Sequence, residues 1–185
     1  ARLAVIPGDG ICPEVMAEAL LLLAWARDRG RDLAWDLLPW GAERFLETGE
    51  AFPDAAFQAV RDGADAVLLG AVGDPRVPDN THAEAILLRL RQDLELSVNF
   101  RPCAPAADSL VPLKGLSAEA IRLEVFRENT EGPYCLQGRS GAGWAVDEAH
   151  HSEAAVRRLL EAAFERAEVL ERPLVLAHKA NVLKH

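Results

Sequence analysis

Apolar and polar positions along the chain switch between two periods. Arg2 to Ile6 is a short apolar run that ends in the turn cluster Pro7-Gly8-Asp9-Gly10. Pro13 then stands where a first helical residue belongs, since its missing N–H is unpaired there in any case, and Val15, Ala19, Leu22, Leu23 and Ala26 follow at helical spacing. The reading is strand, glycine turn, helix. It recurs: 33–38 is extended, 40–46 is helical, Pro53-Asp54 opens a helix to about Asp62, and Ala66 to Leu69 forms another apolar strand. Alternating β and α elements predict an α/β fold, a mainly parallel sheet flanked by helices.

Past a loop at 75–80, residues 83–94 read as a helix, and 103–117, with Pro105, Pro112 and Gly115, is the clearest linker-like stretch, so a domain crossover is expected near it. Ile121, Leu123 and Val125 alternate with Arg122 and Glu124 in a half-buried strand ending at Arg127. Residues 134–136 and 144–146 flank a glycine-rich segment and predict a hairpin arm, too small to fold alone and suited to packing on a partner subunit. Val156, Leu159, Leu160, Ala163, Phe164 and Ala167 mark an amphipathic helix with Ser152 as its candidate cap. Leu174 to Ala177 reads as a buried strand before His178-Lys179, and the sequence then stops at His185 without a closing element, so a further segment is expected to follow.

Composition narrows the function classes. With 20 Lys+Arg against 29 Asp+Glu in 185 residues the net charge is −9, which argues against a nucleic-acid binder held by a basic face. Half the residues are hydrophobic, enough for a buried core. The longest apolar run, 17–26, is interrupted by Glu18 and falls short of the ~20 residues of a membrane span. With no signal-peptide pattern at residues 1–6, the cytoplasm is the expected location. Cys12, Cys103 and Cys135 lack CxxC spacing and read as free thiols.

Several side chains suit anionic chemistry. The Gly8-Asp9-Gly10 turn and the segment from Gly70 to Gly73 both follow predicted strands, at the carboxyl ends where open α/β sheets bind ligands, although glycine turns also end strands for steric reasons alone. Arg91, Arg101 and Arg127, brought to one crevice, would suit a substrate with two or more carboxylates, each guanidinium forming a bidentate pair. Arg89 reads as a solvated helix residue. Glu84, Leu87 and Leu88 share a helical turn, with the ordinary core as the plain reading of the two leucines. Tyr134 and Lys179 are candidate proton carriers. His150-His151 lacks the spacing of a metal-ligand pair and reads as exposed.

Four segments, in this order, carry a resemblance: residues 6–11 (Ile-Pro-Gly-Asp-Gly-Ile), 87–91 with 99–102 (Leu-Leu-Arg-Leu-Arg with Asn-Phe-Arg-Pro), 127–134 (Arg-Glu-Asn-Thr-Glu-Gly-Pro-Tyr) and 178–183 (His-Lys-Ala-Asn-Val-Leu). Together they resemble the NAD(P)-dependent β-decarboxylating dehydrogenases, which act on isopropylmalate, isocitrate, homoisocitrate or tartrate. The resemblance implies a two-domain architecture of which these residues form the N-terminal half: 1–102 in the larger, cofactor-side domain, and 103–185 in the smaller one with a dimer arm at about 134–146. It implies that Arg91, Arg101 and Arg127 hold substrate carboxylates, and that Tyr134 and Lys179 manage protons. Lys179 would reach the neighbouring site of a homodimer. Ile11, Gly70, Ala71, Val72 and Asn181 would lie near the nicotinamide of NAD, with NADP as the alternative.

The turn from Glu84 to Leu88 matches the pocket of isopropylmalate enzymes, implying leucine biosynthesis, whereas Arg127-Glu128-Asn129-Thr130-Glu131-Gly132 is more typical of isocitrate, homoisocitrate and tartrate enzymes. The family also uses Mg²⁺ or Mn²⁺, but its metal-binding aspartates and adenosine loop correspond to positions past 185, so no metal ligand is expected within this chain. A competing reading is a non-catalytic carboxylate-binding or dimerisation module that keeps Arg91, Arg101 and Arg127. Cys12 departs from the family's usual glycine, and its side chain is expected to crowd the helix start or the cofactor.

Overall fold

The computed structural model describes residues 1–183; Lys184 and His185 lie outside them. The described chain divides into two compact units, Ala1–Leu94 and a second beginning at Glu95.

In the first unit β1 (Arg2–Ile6) runs parallel to β2 (Ala34–Leu37) on one side and β3 (Ala66–Leu69) on the other, giving the order β2-β1-β3. Ala4, Val5 and Ile6 are all buried, and since successive side chains point to opposite faces, a strand covered on both faces reads as a continuous apolar run. Helices α1 (Cys12–Asp28), α2 (Ala42–Thr48), α3 (Asp54–Gly63) and α4 (Thr81–Asp93) complete the unit. Pro13 sits in the first turn of α1, and Pro53 is the N-cap of α3. Ala4, Ile6, Phe52, Ala56, Phe57, Val60, Ile86 and Leu90 form one core cluster. Burying a side chain such as Ile86 stabilises by about 1.5–3 kcal/mol. The Arg89 guanidinium donates to the Phe52 carbonyl (3.0 Å) and to Asp54 (2.6 Å), and lies 4.7 Å from the centre of the Phe57 ring. Arg89 is therefore a clamp between α4 and the start of α3, and not the solvated residue that its place on the helix predicts.

The second unit is built on an antiparallel ribbon of β4 (Val98–Cys103) and β5 (Leu123–Glu128). β4 is an addition to the predicted elements. Its pairing with β5 carries the residues after Leu94 into the second unit, so the division falls at Leu94/Glu95, ahead of the crossover expected near 103. Helix α5 (Glu153–Leu170) packs on both strands and starts at Ser152, whose hydroxyl accepts from the Ala155 amide at 3.2 Å. Between ribbon and helix come β6 (Gly138–Gly141) and β7 (Trp144–Asp147), an exposed hairpin at the place of the predicted arm.

One expectation is corrected. Leu174 to Ala177 is neither strand nor buried: Val175 is 83% exposed, and the segment is irregular. A strand needs a neighbour to satisfy its N–H and C=O groups, and no described strand runs beside it. Among the described residues no helix is long and apolar enough to cross a membrane.

Candidate functional site

In the first unit the candidate residues gather at the carboxyl ends of β1 and β3. The Asp9 amide donates to the Ala71 carbonyl at 2.8 Å, and the Gly70 amide to the Ile6 carbonyl at 2.8 Å, so the turn after β1 and the loop after β3 lie backbone to backbone. There is no room for a side chain between them: a Cβ on Gly8 would run into the Ala71 carbonyl, and one on Gly70 into that of Pro7. Cys12 does not push this contact apart. Its Sγ accepts from the Ala71 amide at 3.1 Å, a weak bond that turns the departure from glycine into a tether. Ile11 is 69% exposed beside this turn, Ala71 is exposed, and Val72 is half-buried against the core.

The Asp9 carboxylate holds these pieces in register. Oδ1 accepts from the Ala42 amide at 2.7 Å, capping α2, and Oδ2 accepts from the Gly73 amide at 2.7 Å and from His82 Nε2 at 2.8 Å. Burial alone would raise the Asp9 carboxyl, but the Ala42 amide, the His82 ring and the Gly73 amide outweigh it and hold it below its ordinary value. A depressed folded pKa contributes stability above the unfolded value, near pH 4, and loses it as pH falls through the lower folded value. Asp9→Asn is accordingly expected to cost about 1–3 kcal/mol at pH 7 and clearly less at pH 3, read by urea unfolding; an equal cost at both pH values contradicts the assignment.

On α4, Glu84, Leu87, Leu88 and Arg91 follow the i, i+3, i+4, i+7 stripe of one helical face. The buried positions of that helix are instead His82, Ala83, Ile86 and Leu90. Leu87 and Leu88 are half-buried and outside the core cluster, and Glu84 is exposed. An acid, two half-buried alkyl groups and a guanidinium thus line up on one face of α4, outside the core cluster.

In the second unit the β4/β5 register sets Asn99 opposite Arg127 and Arg101 opposite Val125. Alternation puts Asn99, Arg101 and Arg127 on one face of the ribbon and Phe100 and Phe126 on the other, their rings 5.0 Å apart. Arg101 Nε donates to Asn99 Oδ1 at 2.8 Å; Asn99 is held in turn by the buried Asn129, which donates to the Leu96 carbonyl at 3.0 Å. The Arg127 guanidinium lies over the Tyr134 ring, 5.1 Å from its centre.

The turn between them is built by carboxylates. Glu128 accepts from the Thr130 amide and hydroxyl and from the Glu131 amide, at 2.6–2.8 Å. Burial would raise the Glu128 carboxyl, and these donors lower it below the ordinary range. Glu131 accepts from the Ser152 amide and hydroxyl, pinning the turn to the start of α5. Arg101 and Arg127 thus share one face of a braced ribbon, and Tyr134 stands against Arg127. Lys179 and Asn181 lie in the exposed irregular segment after α5. Among the described residues no group of three or more His, Cys, Asp or Glu could hold a metal ion.

Sequence reasoning missed four contributors: the Asp9 side chain, His82, Asn99 and Asn129. The available signal for His82 was its place in register with Ile86 and Leu90 on the core face of α4.

Comparison with known proteins gives a consistent set of likenesses. The profile described as isocitrate/isopropylmalate dehydrogenase matches residues 2–185. A 3-isopropylmalate dehydrogenase from Frankia casuarinae is 44% identical over 188 residues, covering 98% of this chain and 53% of its own length. One from Thermobifida fusca is 42% identical and covers 100% of this chain and 54% of its own length. Among solved structures, an isocitrate dehydrogenase from Methylococcus capsulatus superposes with a TM-score of 0.81 at 26% identity, over 99% of this chain and 52% of that one. The chain spans about half the length of the curated relatives it matches.

Proposed function

The chain belongs to the isocitrate/isopropylmalate dehydrogenase family, and from that premise we propose that it forms part of an enzyme that oxidatively decarboxylates 3-isopropylmalate with NAD and a divalent metal, in leucine biosynthesis. The observation that supports the choice of substrate is the stripe Glu84, Leu87, Leu88 and Arg91 on α4, outside the core cluster. Two leucines offer an apolar wall to a branched alkyl group, and Glu84 repels a carboxylate in its place. Burying three alkyl carbons at about 0.8 kcal/mol each gives about 2.4 kcal/mol, or roughly 60-fold. Rejection of isocitrate beyond that falls to Glu84.

Arg91, Arg101 and Arg127 bind the substrate carboxylates, and Asn99 presets the Arg101 fork. Tyr134 and Lys179 of the partner subunit handle the proton that the enol requires once carbon dioxide has left, in a homodimer to which the β6–β7 hairpin contributes an arm. The loop held against the β1 turn, Gly70, Ala71 and Val72, together with the exposed Ile11 beside it, is assigned to the nicotinamide, and Asn181 to the same group. NAD, when bound, accepts the hydride from C2 of the hydroxy acid. The described residues do not fit a metal centre, so none is assigned to Mg²⁺ or Mn²⁺. The cytoplasm is the proposed location.

The test is a substrate panel on the whole protein that carries this chain, followed by nicotinamide absorbance with and without Mg²⁺ or Mn²⁺. Turnover is expected to be fastest with 3-isopropylmalate; preference for isocitrate or tartrate, or no turnover with any of them, overturns the proposal. Leu87→Ala with Leu88→Ala is expected to lower the preference for isopropylmalate over malate by up to roughly 60-fold. An unaltered ratio of kcat/KM values returns both leucines to a structural role.

A further inference from the structure

We propose that His82 is a positioning residue for the Gly70–Gly73 loop, acting through Asp9 to fix the glycine end of the loop against which the nicotinamide packs. The inference rests on the reading above that this loop meets the cofactor.

His82 is fully buried in the first turns of α4, its ring stacked on Phe45 at 5.9 Å and 26°. Nε2 donates to Asp9 Oδ2, while Nδ1 is buried with no hydrogen-bond partner among the described residues. An orphaned buried polar atom of this kind costs about 1–3 kcal/mol. A phenylalanine would fill the space and stack on Phe45 without that cost, so packing does not explain a histidine here. The donation to Asp9 does.

The two oxygens of Asp9 have separate duties. Among the described residues Oδ1 serves the Ala42 amide, and Oδ2 is shared by His82 Nε2 and the Gly73 amide. Without the His82 donor Oδ1 keeps its bond to the Ala42 amide while Oδ2 is left with the Gly73 amide, so that edge of the carboxylate loses a constraint and the Gly73 amide faces a less firmly fixed acceptor. Gly73 has φ 147, a conformation that L side chains rarely adopt, so this stretch of loop depends on an external tether to hold its path. Its neighbours have other anchors: Ala71 is tied to Asp9 and Cys12, and Asp74 to Asn80. The effect of His82 is therefore local to Gly73.

That locality supplies the test. His82→Phe keeps the stack and removes the donor; His82→Gln keeps an N–H donor of similar reach. Hydrogen exchange by NMR is expected to speed up about tenfold at the Gly73 amide in His82→Phe, to change less than about twofold at Ala42, and to return towards the parent value in His82→Gln. NADH affinity of the whole protein is expected to weaken by about tenfold in His82→Phe, with a smaller change in kcat, and to recover in His82→Gln. His82→Leu serves as the donor-free variant should His82→Phe fail to fold. The proposal is overturned if Gly73 exchange is unmoved, if Gly73 and Ala42 loosen together as a merely structural role requires, or if Gly73 loosens while NADH affinity stays at the parent value. A parent protein that binds no NADH defeats the nicotinamide reading, and the Gly73/Ala42 contrast still decides whether His82 holds the loop.

Discussion

Gly70→Ala is expected to destabilise the protein by more than about 3 kcal/mol, the upper range for forcing extra volume into a packed site. The added Cβ would overlap the Pro7 carbonyl oxygen and lie 2.7 Å from the Pro7 carbonyl carbon, and both atoms belong to backbone that cannot rotate away. Relief requires the β1 turn and the β3 loop to separate, which breaks the Asp9 amide bond to Ala71 and the Gly70 amide bond to Ile6. Gly10 is the matched control. It has φ 61 with no atom within 4 Å of the added Cβ, so Gly10→Ala carries only the left-handed backbone penalty of about 1 kcal/mol. Urea unfolding of the two variants separates a requirement for space from one for backbone freedom; equal losses contradict the close approach at Gly70.

Much of the first unit was legible because its signals are local. The apolar runs of β1 and β3, Pro13 and Pro53 at helix starts, and the glycine turns all act within a few residues, and the structure follows them. The α4 stripe was legible for the same reason, since spacing alone sets 84, 87, 88 and 91 on one face. What escaped were features made by the fold. Asp9 and His82 are 73 residues apart, and nothing local to either says that they touch. β4 escaped for another reason: Val98 and Phe100 alternate with Asn99 and Arg101, but the run is short and ends in proline, so its chemistry stood out before its period. Leu174 to Ala177 shows the converse. A strand-like composition is a request for a ladder partner, and a segment without one stays irregular.

Arg127→Ala is expected to lower kcat/KM by roughly 30- to 1,000-fold, through two losses that show in different constants. On the proposed function, one is the charge-assisted hydrogen bond that Arg127 would make to a substrate carboxylate, worth about 1.5–3 kcal/mol. The other is the contact with Tyr134, about 0.5–1 kcal/mol for a cation over an aromatic face, which fixes the plane of the ring that presents the phenolic hydroxyl. The sum, about 2–4 kcal/mol, sets the expected range. Loss of the carboxylate grip raises KM, whereas a wandering Tyr134 lowers kcat, because the proton must arrive from a fixed direction. Arg127→Lys divides them further: it keeps a positive charge for the carboxylate but not the planar group that covers the ring, so its residual defect is expected chiefly in kcat. Steady-state kinetics with 3-isopropylmalate reads both variants. If Arg127→Ala leaves kcat and KM at the parent values, the β4–β5 face is not where the substrate is held, and the pairing of Arg127 with Tyr134 is a structural contact of the ribbon.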